Sequence, residues 1–169
     1  QRTPSSIDVR GNRPTDPEWA ESLQPGWQTE RIANFTALTG GGFASEDLVM
    51  DGWTDIIGRI VTMLRQSGEM SKDAIAAALE ESDFQKMDDI RARVDVLVED
   101  QATADALKPW YKLFCKRPCF HDAYLQSYNR PNVQLVDTDG KGVDRITADA
   151  VVVGGQGYES GCLIYPTGF

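Results

Sequence analysis

Two adjacent cations, Lys116 and Arg117, stand directly before Pro118 in a chain whose 26 acidic residues outnumber its 17 basic ones. Arginine offers a planar fork of donors that fits a phosphate or a developing oxyanion, and lysine adds a compact, mobile charge. Pro118 keeps Arg117 extended and limits where its side chain can point. The pattern alone leaves two interpretations open: a solvated basic pair on the surface, or a site that holds an anion.

The only histidine, His121, precedes Asp122 and lies close in sequence to Cys115 and Cys119. One histidine beside one carboxylate is a weak indication of a general base, and we expect Asp122 to cap a short helix instead. A zinc site needs about four ligands, and Pro118 interrupts the helical spacing of the cysteines. We therefore predict ordinary buried thiols and no metal site.

Composition limits the class of protein. The chain has 169 residues, of which 41% are hydrophobic and 25% charged, and these values are typical of a folded domain with a core. A net charge of −9 argues against non-specific binding of nucleic acid, which requires neutralisation of phosphates. No apolar run is long enough to span a bilayer, and three cysteines do not suit a disulfide framework. The sequence predicts a cytoplasmic protein that binds neither nucleic acids nor membranes.

The ends of the chain are unusual. It begins at Gln1 without a methionine and stops at Phe169 without a cap or a polar tail, which favours an internal piece of a larger protein. Thr167 and Gly168 follow an apolar run, where glycine could let the backbone approach a cofactor, although a plain turn explains them as well. The chain lacks both Gly-x-Gly-x-x-Gly and a P-loop, so by itself it is not expected to bind a dinucleotide well.

Helical periodicity dominates the first two thirds of the chain, and short extended segments follow. The predicted helices cover residues 16–23, 27–38 and 51–67, then one that begins after Ser71, one that begins at Ser82, and residues 103–107. The predicted strands cover residues 133–136, 143–147 and 151–153, with a hairpin turn at Gly154 and Gly155, and a strand buried on both faces at 163–165.

Taken together, the motifs resemble those of flavin-dependent Baeyer–Villiger monooxygenases. The segments that carry the resemblance, in order, are Gln1-Arg2-Thr3-Pro4, Lys116-Arg117-Pro118, Asn129-Arg130-Pro131-Asn132-Val133, Leu135-Val136-Asp137-Thr138 and Leu163-Ile164-Tyr165-Pro166-Thr167-Gly168-Phe169. The N-terminal half is similar to family members that act on bulky or polycyclic ketones, through Gly26-Trp27-Gln28 and Asp51-Gly52-Trp53-Thr54-Asp55-Ile56.

The resemblance implies an α/β fold: a mostly helical insertion followed by short strands that return to a Rossmann-type FAD- and NADP-binding fold. Residues 1–26 would be the end of the NADP-binding domain and a loop, and residues 27–110 the helical insertion. Residues 111–131 would form a linker with the basic pair, and residues 132–169 the strands that re-enter the FAD-binding domain. The partner of the chain would be the remainder of its own polypeptide.

The resemblance also implies an activity: NADPH and O2 are used to insert an oxygen atom beside a ketone carbonyl by way of a C4a-peroxyflavin, which gives an ester or lactone. Arg117 would be the catalytic cation over FAD, and Lys116 would help position NADP(H). Gln1, Arg2 and Thr3 would lie near the nucleotide, and Thr167 and Gly168 would contact the cofactor. Pro166 stands where the family usually has alanine.

Two alternatives remain open at this point. Residues 51–108 could be a non-enzymatic helical module that presents an acidic face to a basic partner. A related N-hydroxylating flavin monooxygenase would share the cofactors but not the reaction, and the Lys116-Arg117-Pro118 setting favours the Baeyer–Villiger family over it.

Overall fold

Polar caps set the starts of the helices in the computed structural model, which describes residues 4–40, 44–68 and 71–165. Asp16 accepts a hydrogen bond from the Glu18 backbone N–H, and Asp51 forms a capping box with Thr54. These two caps confirm the predicted starts of the first and third helices. In the described residues the α-helices are α1 (Pro17–Ser22), α2 (Trp27–Thr39), α3 (Gly52–Ser67), α4 (Lys72–Leu97) and α5 (Gln101–Leu107).

The single long helix α4 takes the place of the two helices predicted after Ser71 and at Ser82. Ser71 does cap the helix, by accepting from the Ala74 N–H, but Ser82 lies fully buried inside it. The Ser82 hydroxyl packs 3.5 Å from the Met63 sulfur of α3. The prediction of a helix start at Ser82 was wrong because that serine is used in helix packing instead of capping.

The core of the helical part lies between α3 and α4. Apolar side chains from both helices pack against Leu113 of the 3₁₀ turn Leu113–Cys115, and the four buried members of this cluster are each at most 2% exposed. Burial of one such side chain contributes roughly 1.5–3 kcal/mol. The cluster comprises Ile56, Met87, Ile90 and Leu113, with Ile57 and Ile60 packed against it.

Two very short strands join the beginning and the end of this helical unit. β1 (Ile7–Asp8) and β2 (Cys119–Phe120) pair in parallel, with the helices as the crossover between them. The Cys119 N–H donates to the Ser6 carbonyl at 3.1 Å, and the His121 N–H donates to the Asp8 carbonyl at 2.9 Å. The pairing brings the backbone that follows Pro4 beside the backbone that follows Arg117.

The chain divides into two compact units, and the second is described over residues 134–165. It is an antiparallel meander of β3 (Arg145–Ile146), β4 (Ala150–Val153) and β5 (Gln156–Glu159). The predicted hairpin is confirmed, with Gly154 and Gly155 at φ of 58° and 80°, as a tight turn of this kind requires.

The strands predicted at residues 133–136 and 163–165 do not form. Leu163, Ile164 and Tyr165 are 41%, 81% and 65% exposed. An apolar run becomes a doubly buried strand only when other strands or helices cover it, and no described residue pairs with either segment. Helices and strands together confirm the α/β class at this coarse level. Among the described helices, none combines the length and apolarity that a membrane crossing needs.

Candidate functional site

The basic pair lies in a short connection between the 3₁₀ turn Leu113–Cys115 and β2. Both Lys116 and Arg117 are exposed to solvent. Within the described ranges, no carboxylate lies in ion-pair contact with the Arg117 guanidinium. An arginine in this state keeps its donors available for an anionic ligand. The geometry is therefore compatible with the anion-binding interpretation of the pair.

Tyr111 connects this loop to the start of the chain. Its hydroxyl accepts from the Ser6 N–H at 2.9 Å and donates to the Pro4 carbonyl at 3.0 Å. Its ring lies under the Lys116 ammonium, with 5.3 Å between Nζ and the ring centroid. This distance is within the range in which a cation is attracted to an aromatic face. Sequence reasoning missed Tyr111, because nothing in the local pattern marks a contact over 105 residues.

Asp122 organises the loop that follows β1. Its carboxylate accepts hydrogen bonds from the backbone N–H groups of Arg10, Gly11 and Asn12, at 2.9, 3.0 and 3.1 Å. Chiefly the bonds from Gly11 and Asn12 hold the pKa of Asp122 below its ordinary value. The expected helix cap was wrong, because the 3₁₀ turn Leu125–Asn129 receives no side-chain cap and the carboxylate is used by a distant loop.

In the described part of the chain, the Asp122 oxygens bond to the loop after β1 and not to His121, and the groups near the basic pair are not arranged as a metal centre. The His121 Nδ1 accepts from the Ala123 N–H at 3.1 Å, so a local backbone contact uses this lone pair. Cys119 is half-buried, but Cys115 is exposed, so the prediction of a buried thiol was wrong there. The turn ends at Cys115, which leaves this side chain on the solvent side. No three His, Cys, Asp or Glu residues in the described part of the chain are grouped as metal ligands would be.

A buried ion cluster ties β1 to the two long helices. The Lys86 ammonium lies 2.5 Å from the Asp8 carboxylate and 2.8 Å from that of Asp55. Arg59 extends the cluster by contacting Asp55 at 3.3 Å and Asp89 at 2.7 Å. Burial alone would lower the pKa of Lys86, but hydrogen bonds and charge from Asp55 and Asp8 outweigh it and raise that pKa. The i,i+4 spacing of Asp55 and Arg59 was the only sequence signal for this cluster.

Arg93 of α4 spans the two strands from the side. Its guanidinium donates to the Ile7 carbonyl and to the His121 carbonyl, each at 3.2 Å. One planar fork therefore holds both strands of the parallel pair. Together with the Lys86–Asp8 ion pair, this contact fixes the strand pair on the face of α4. Sequence reasoning missed this residue as well, since its partners are backbone atoms far along the chain.

An open cleft of about 320 Å³ lies where the strand pair meets the start of α3. The Trp53 and Phe120 rings form one wall, with their centroids 5.8 Å apart and their planes inclined by 50°. A Cβ on Gly52 would lie 2.2 Å from the Phe120 ring, so any other residue at this position would force the ring to shift. The cleft is lined by Val9, Arg10, Asp51, Gly52, Trp53 and Phe120.

The structure describes two of the predicted site residues, Lys116 and Arg117, and places them next to each other in the loop before β2. The remaining predicted positions lie outside the described residues; they are Gln1, Arg2, Thr3, Thr167 and Gly168, together with Pro166.

The fold and the loop define an α/β segment in which a helical block separates two parallel strands and an exposed cationic pair precedes the second strand. No protein-family model matches the chain. It is 55% identical over 170 residues to neopentalenolactone D synthase of Streptomyces avermitilis, and 56% identical over 171 residues to Baeyer–Villiger monooxygenase ATR8 of Stachybotrys chlorohalonatus. Each alignment covers 100% of the chain, but only 29% and 27% of the respective relative.

Solved structures give the same result. The fold superposes on the polycyclic ketone monooxygenase of the thermophilic fungus Thermothelomyces thermophila, with a TM-score of 0.72 and 42% identity over 94% of this chain and 27% of that one. It also superposes on OTEMO in complex with FAD and NADP, with a TM-score of 0.67 over 100% of this chain and 32% of that one. At 21% identity, this second likeness shows the fold alone.

These relatives confirm the resemblance that the motifs predicted: along its whole length, the chain matches Baeyer–Villiger monooxygenases. It spans less than a third of the length of the relatives it matches. The two alternatives, an acidic interaction module and an N-hydroxylating enzyme, find no support among these relatives.

Proposed function

We propose that the protein containing this segment is a Baeyer–Villiger monooxygenase that converts a ketone, O2, NADPH and a proton into an ester or lactone, water and NADP⁺. The observation that carries this proposal is the identity of 55–56% along the whole chain to relatives that include an enzyme named for this reaction. Bulky or polycyclic ketones are the proposed substrate class, since the polycyclic ketone monooxygenase is 42% identical.

The proposed cofactors are FAD and NADPH, and the loop before β2 fits anionic groups of this kind. The chain carries a net charge of −9, yet this loop exposes two adjacent cations. Lys116 would hold a phosphate of NADPH as a compact charge, and Arg117 would face the flavin side. Most contacts between the Rossmann-type domains and the cofactors would come from parts of the protein beyond this segment. Those parts would be the principal partner of the segment.

When bound, FAD supplies the redox chemistry by which O2 is activated with electrons from NADPH. The task of Arg117 is electrostatic: its guanidinium donates hydrogen bonds to oxygen atoms on which negative charge develops during the reaction. Removal of one such donor typically costs about 10²–10³ in rate. The loop is held at both ends, so the guanidinium needs little reorganisation as the charge develops. The proposed contacts on the nucleotide side are Gln1, Arg2 and Thr3, and those on the flavin side are Thr167 and Gly168. We also propose that the protein acts in the cytoplasm.

The test is Arg117→Ala in the whole protein, with Arg145→Ala, an exposed arginine of β3, as the matched control. We expect ester or lactone formation to fall at least about 100-fold while NADPH still reduces the flavin, because only the charge-stabilising donor is lost. Product is measured by chromatography, and flavin reduction by anaerobic stopped-flow absorbance.

The outcomes separate the role of the residue from the function of the protein. Normal product formation by Arg117→Ala would refute the catalytic role of this arginine. If the wild-type protein consumes no NADPH with any of a panel of monocyclic and polycyclic ketones, the proposed function itself is wrong.

A further inference from the structure

The Tyr111 side chain contacts both the backbone at Pro4 and Ser6 and the ammonium of Lys116. Its hydroxyl uses both of its hydrogen-bonding functions on that backbone, accepting at 2.9 Å from Ser6 and donating at 3.0 Å to Pro4. Ser6 is 1% exposed, so the N–H in this contact has little access to water. Loss of the hydroxyl would therefore leave a backbone donor without its partner.

The ring of Tyr111 contacts Lys116. The Lys116 ammonium lies 5.3 Å from the ring centroid, and the attraction between the two restricts where this long, flexible side chain points. A lysine without such a guide loses more conformational freedom when it binds a phosphate. The ring therefore pre-orients Lys116 before any ligand arrives.

Several contacts besides those of Tyr111 hold the strand pair. The two ladder bonds, the Arg93 fork and the Lys86–Asp8 ion pair hold β1 and β2 together and against α4. Tyr111 instead controls the two flanks of the pair, namely the backbone at residues 4–6 and the side chain of Lys116.

We propose that Tyr111 is a positioning residue for the nicotinamide coenzyme, acting through Lys116 and through the backbone at Pro4 and Ser6. This inference rests on the proposed function, in which Lys116 holds a phosphate of NADPH. The hydroxyl fixes the distance between the two flanks, and the ring fixes the direction of the ammonium. Neither group touches the reacting atoms, so the effect belongs to coenzyme affinity and not to the oxygen-insertion step.

The experiment compares Tyr111→Phe, Tyr111→Leu and the control Tyr128→Phe in the whole flavoprotein. The control removes the Tyr128 hydroxyl, which bonds to the Tyr124 hydroxyl at 2.9 Å and, among the described residues, to no backbone group. The affinity for NADP⁺ is measured by calorimetry, which needs no turnover, and KM and kcat are measured with NADPH. We expect Tyr111→Phe to weaken NADP⁺ binding about three- to ten-fold through the lost hydrogen bonds. Tyr111→Leu should weaken it several-fold further through the lost ring, with kcat at saturating NADPH within about two-fold of wild type.

A second pair of variants tests the route through the lysine. With Lys116→Met as the background, Tyr111→Leu and Tyr111→Phe should bind NADP⁺ equally, because the ring no longer has a cation to guide. A persistent difference between them would contradict this route.

Each remaining outcome is decisive. If wild type binds NADP⁺ and both Tyr111 variants bind it equally well, or if kcat falls with unchanged affinity, the positioning role is wrong. A Tyr111→Phe protein that does not fold would also overturn it, because the strand pair would then depend on this residue. Absence of NADP⁺ binding by wild type would instead refute the proposed function.

Discussion

Replacement of Lys86 by methionine tests how β1 is fixed to the helices. Lys86 is 7% exposed, and its ammonium is shared between Asp8, which is 8% exposed, and Asp55. Methionine keeps the apolar stem of the side chain but removes the charge, which leaves the Asp8 carboxylate buried without a cation. Breaking a buried pair in this way typically costs about 3–5 kcal/mol, a large part of the roughly 5–15 kcal/mol that stabilises a domain.

The assay must report on this region, because a protein of several domains does not unfold in one step. Hydrogen–deuterium exchange of peptides that cover β1, β2 and the middle of α4 gives the local free energy of opening. We expect faster exchange in all three peptides for Lys86→Met. Lys72→Met, which changes an exposed lysine in the first turn of α4, should stay within about 0.5 kcal/mol of wild type.

The double variant Lys86→Met/Asp8→Asn separates the charge from the packing. Removal of both charges leaves no uncompensated ion, so most of the lost stability should return. Asp55 keeps Arg59 as a partner in both variants and does not confuse the comparison. If Lys86→Met lowers the local free energy of opening by less than about 1 kcal/mol, the reasoning is wrong. It is also wrong if Lys86→Met/Asp8→Asn is as unstable as Lys86→Met alone.

Two further predictions concern the same region. Gly52→Ala places a Cβ 2.2 Å from the Phe120 ring, and we expect overpacking to lower the free energy of unfolding by about 1–3 kcal/mol. The measurement is the temperature of unfolding, which should fall. An unchanged temperature would contradict the close approach. Burial alone would raise the pKa of Asp55, but hydrogen bonding and charge from Lys86 outweigh it and hold that pKa below the ordinary 3.8. The contribution of Asp55 to folding stability is therefore complete above pH 3.8 and is lost as the pH falls through the pKa of the folded state. Hydrogen–deuterium exchange in α3 should accelerate in that pH range. If Asp55→Asn shows an equal acceleration in acid, this account is wrong.

The parts of the fold that sequence predicted are those set by neighbours along the chain. Asp16, Asp51 and Ser71 begin helices because a short side chain there reaches the N–H groups of the first turn, and this needs no distant partner. The hairpin at Gly154 and Gly155 is local in the same sense. These features were predicted correctly for that reason.

The errors come from residues whose partners are distant. Ser82 has the identity of a cap, but a sulfur of another helix decides its role. Asp122 has the identity of a cap as well, but a loop 110 residues or more away takes its oxygens. In the same way, Arg93 reaches Ile7 across 86 residues, and Tyr111 reaches the backbone near the start of the chain across 105 and 107 residues. Lys86 joins carboxylates from two other chain segments, Asp8 and Asp55. No local pattern carries that information.

The helical block anchors the backbone of the loop that carries the basic pair. Before the basic pair, the Leu113 N–H donates to the Asp83 carboxylate of α4 at 2.8 Å, and the Leu113 side chain is 2% exposed. After it, the strand pair that contains Cys119 is held by Arg93 of the same helix. Only the residues between these two anchors remain to be positioned, and Pro118 stiffens one of them. The same helix, α4, therefore anchors the backbone on both sides of a short loop, and within the described residues no carboxylate forms an ion pair with Arg117. A loop anchored in this way would serve the role proposed for Arg117, because electrostatic stabilisation of a developing charge requires preorganised donors.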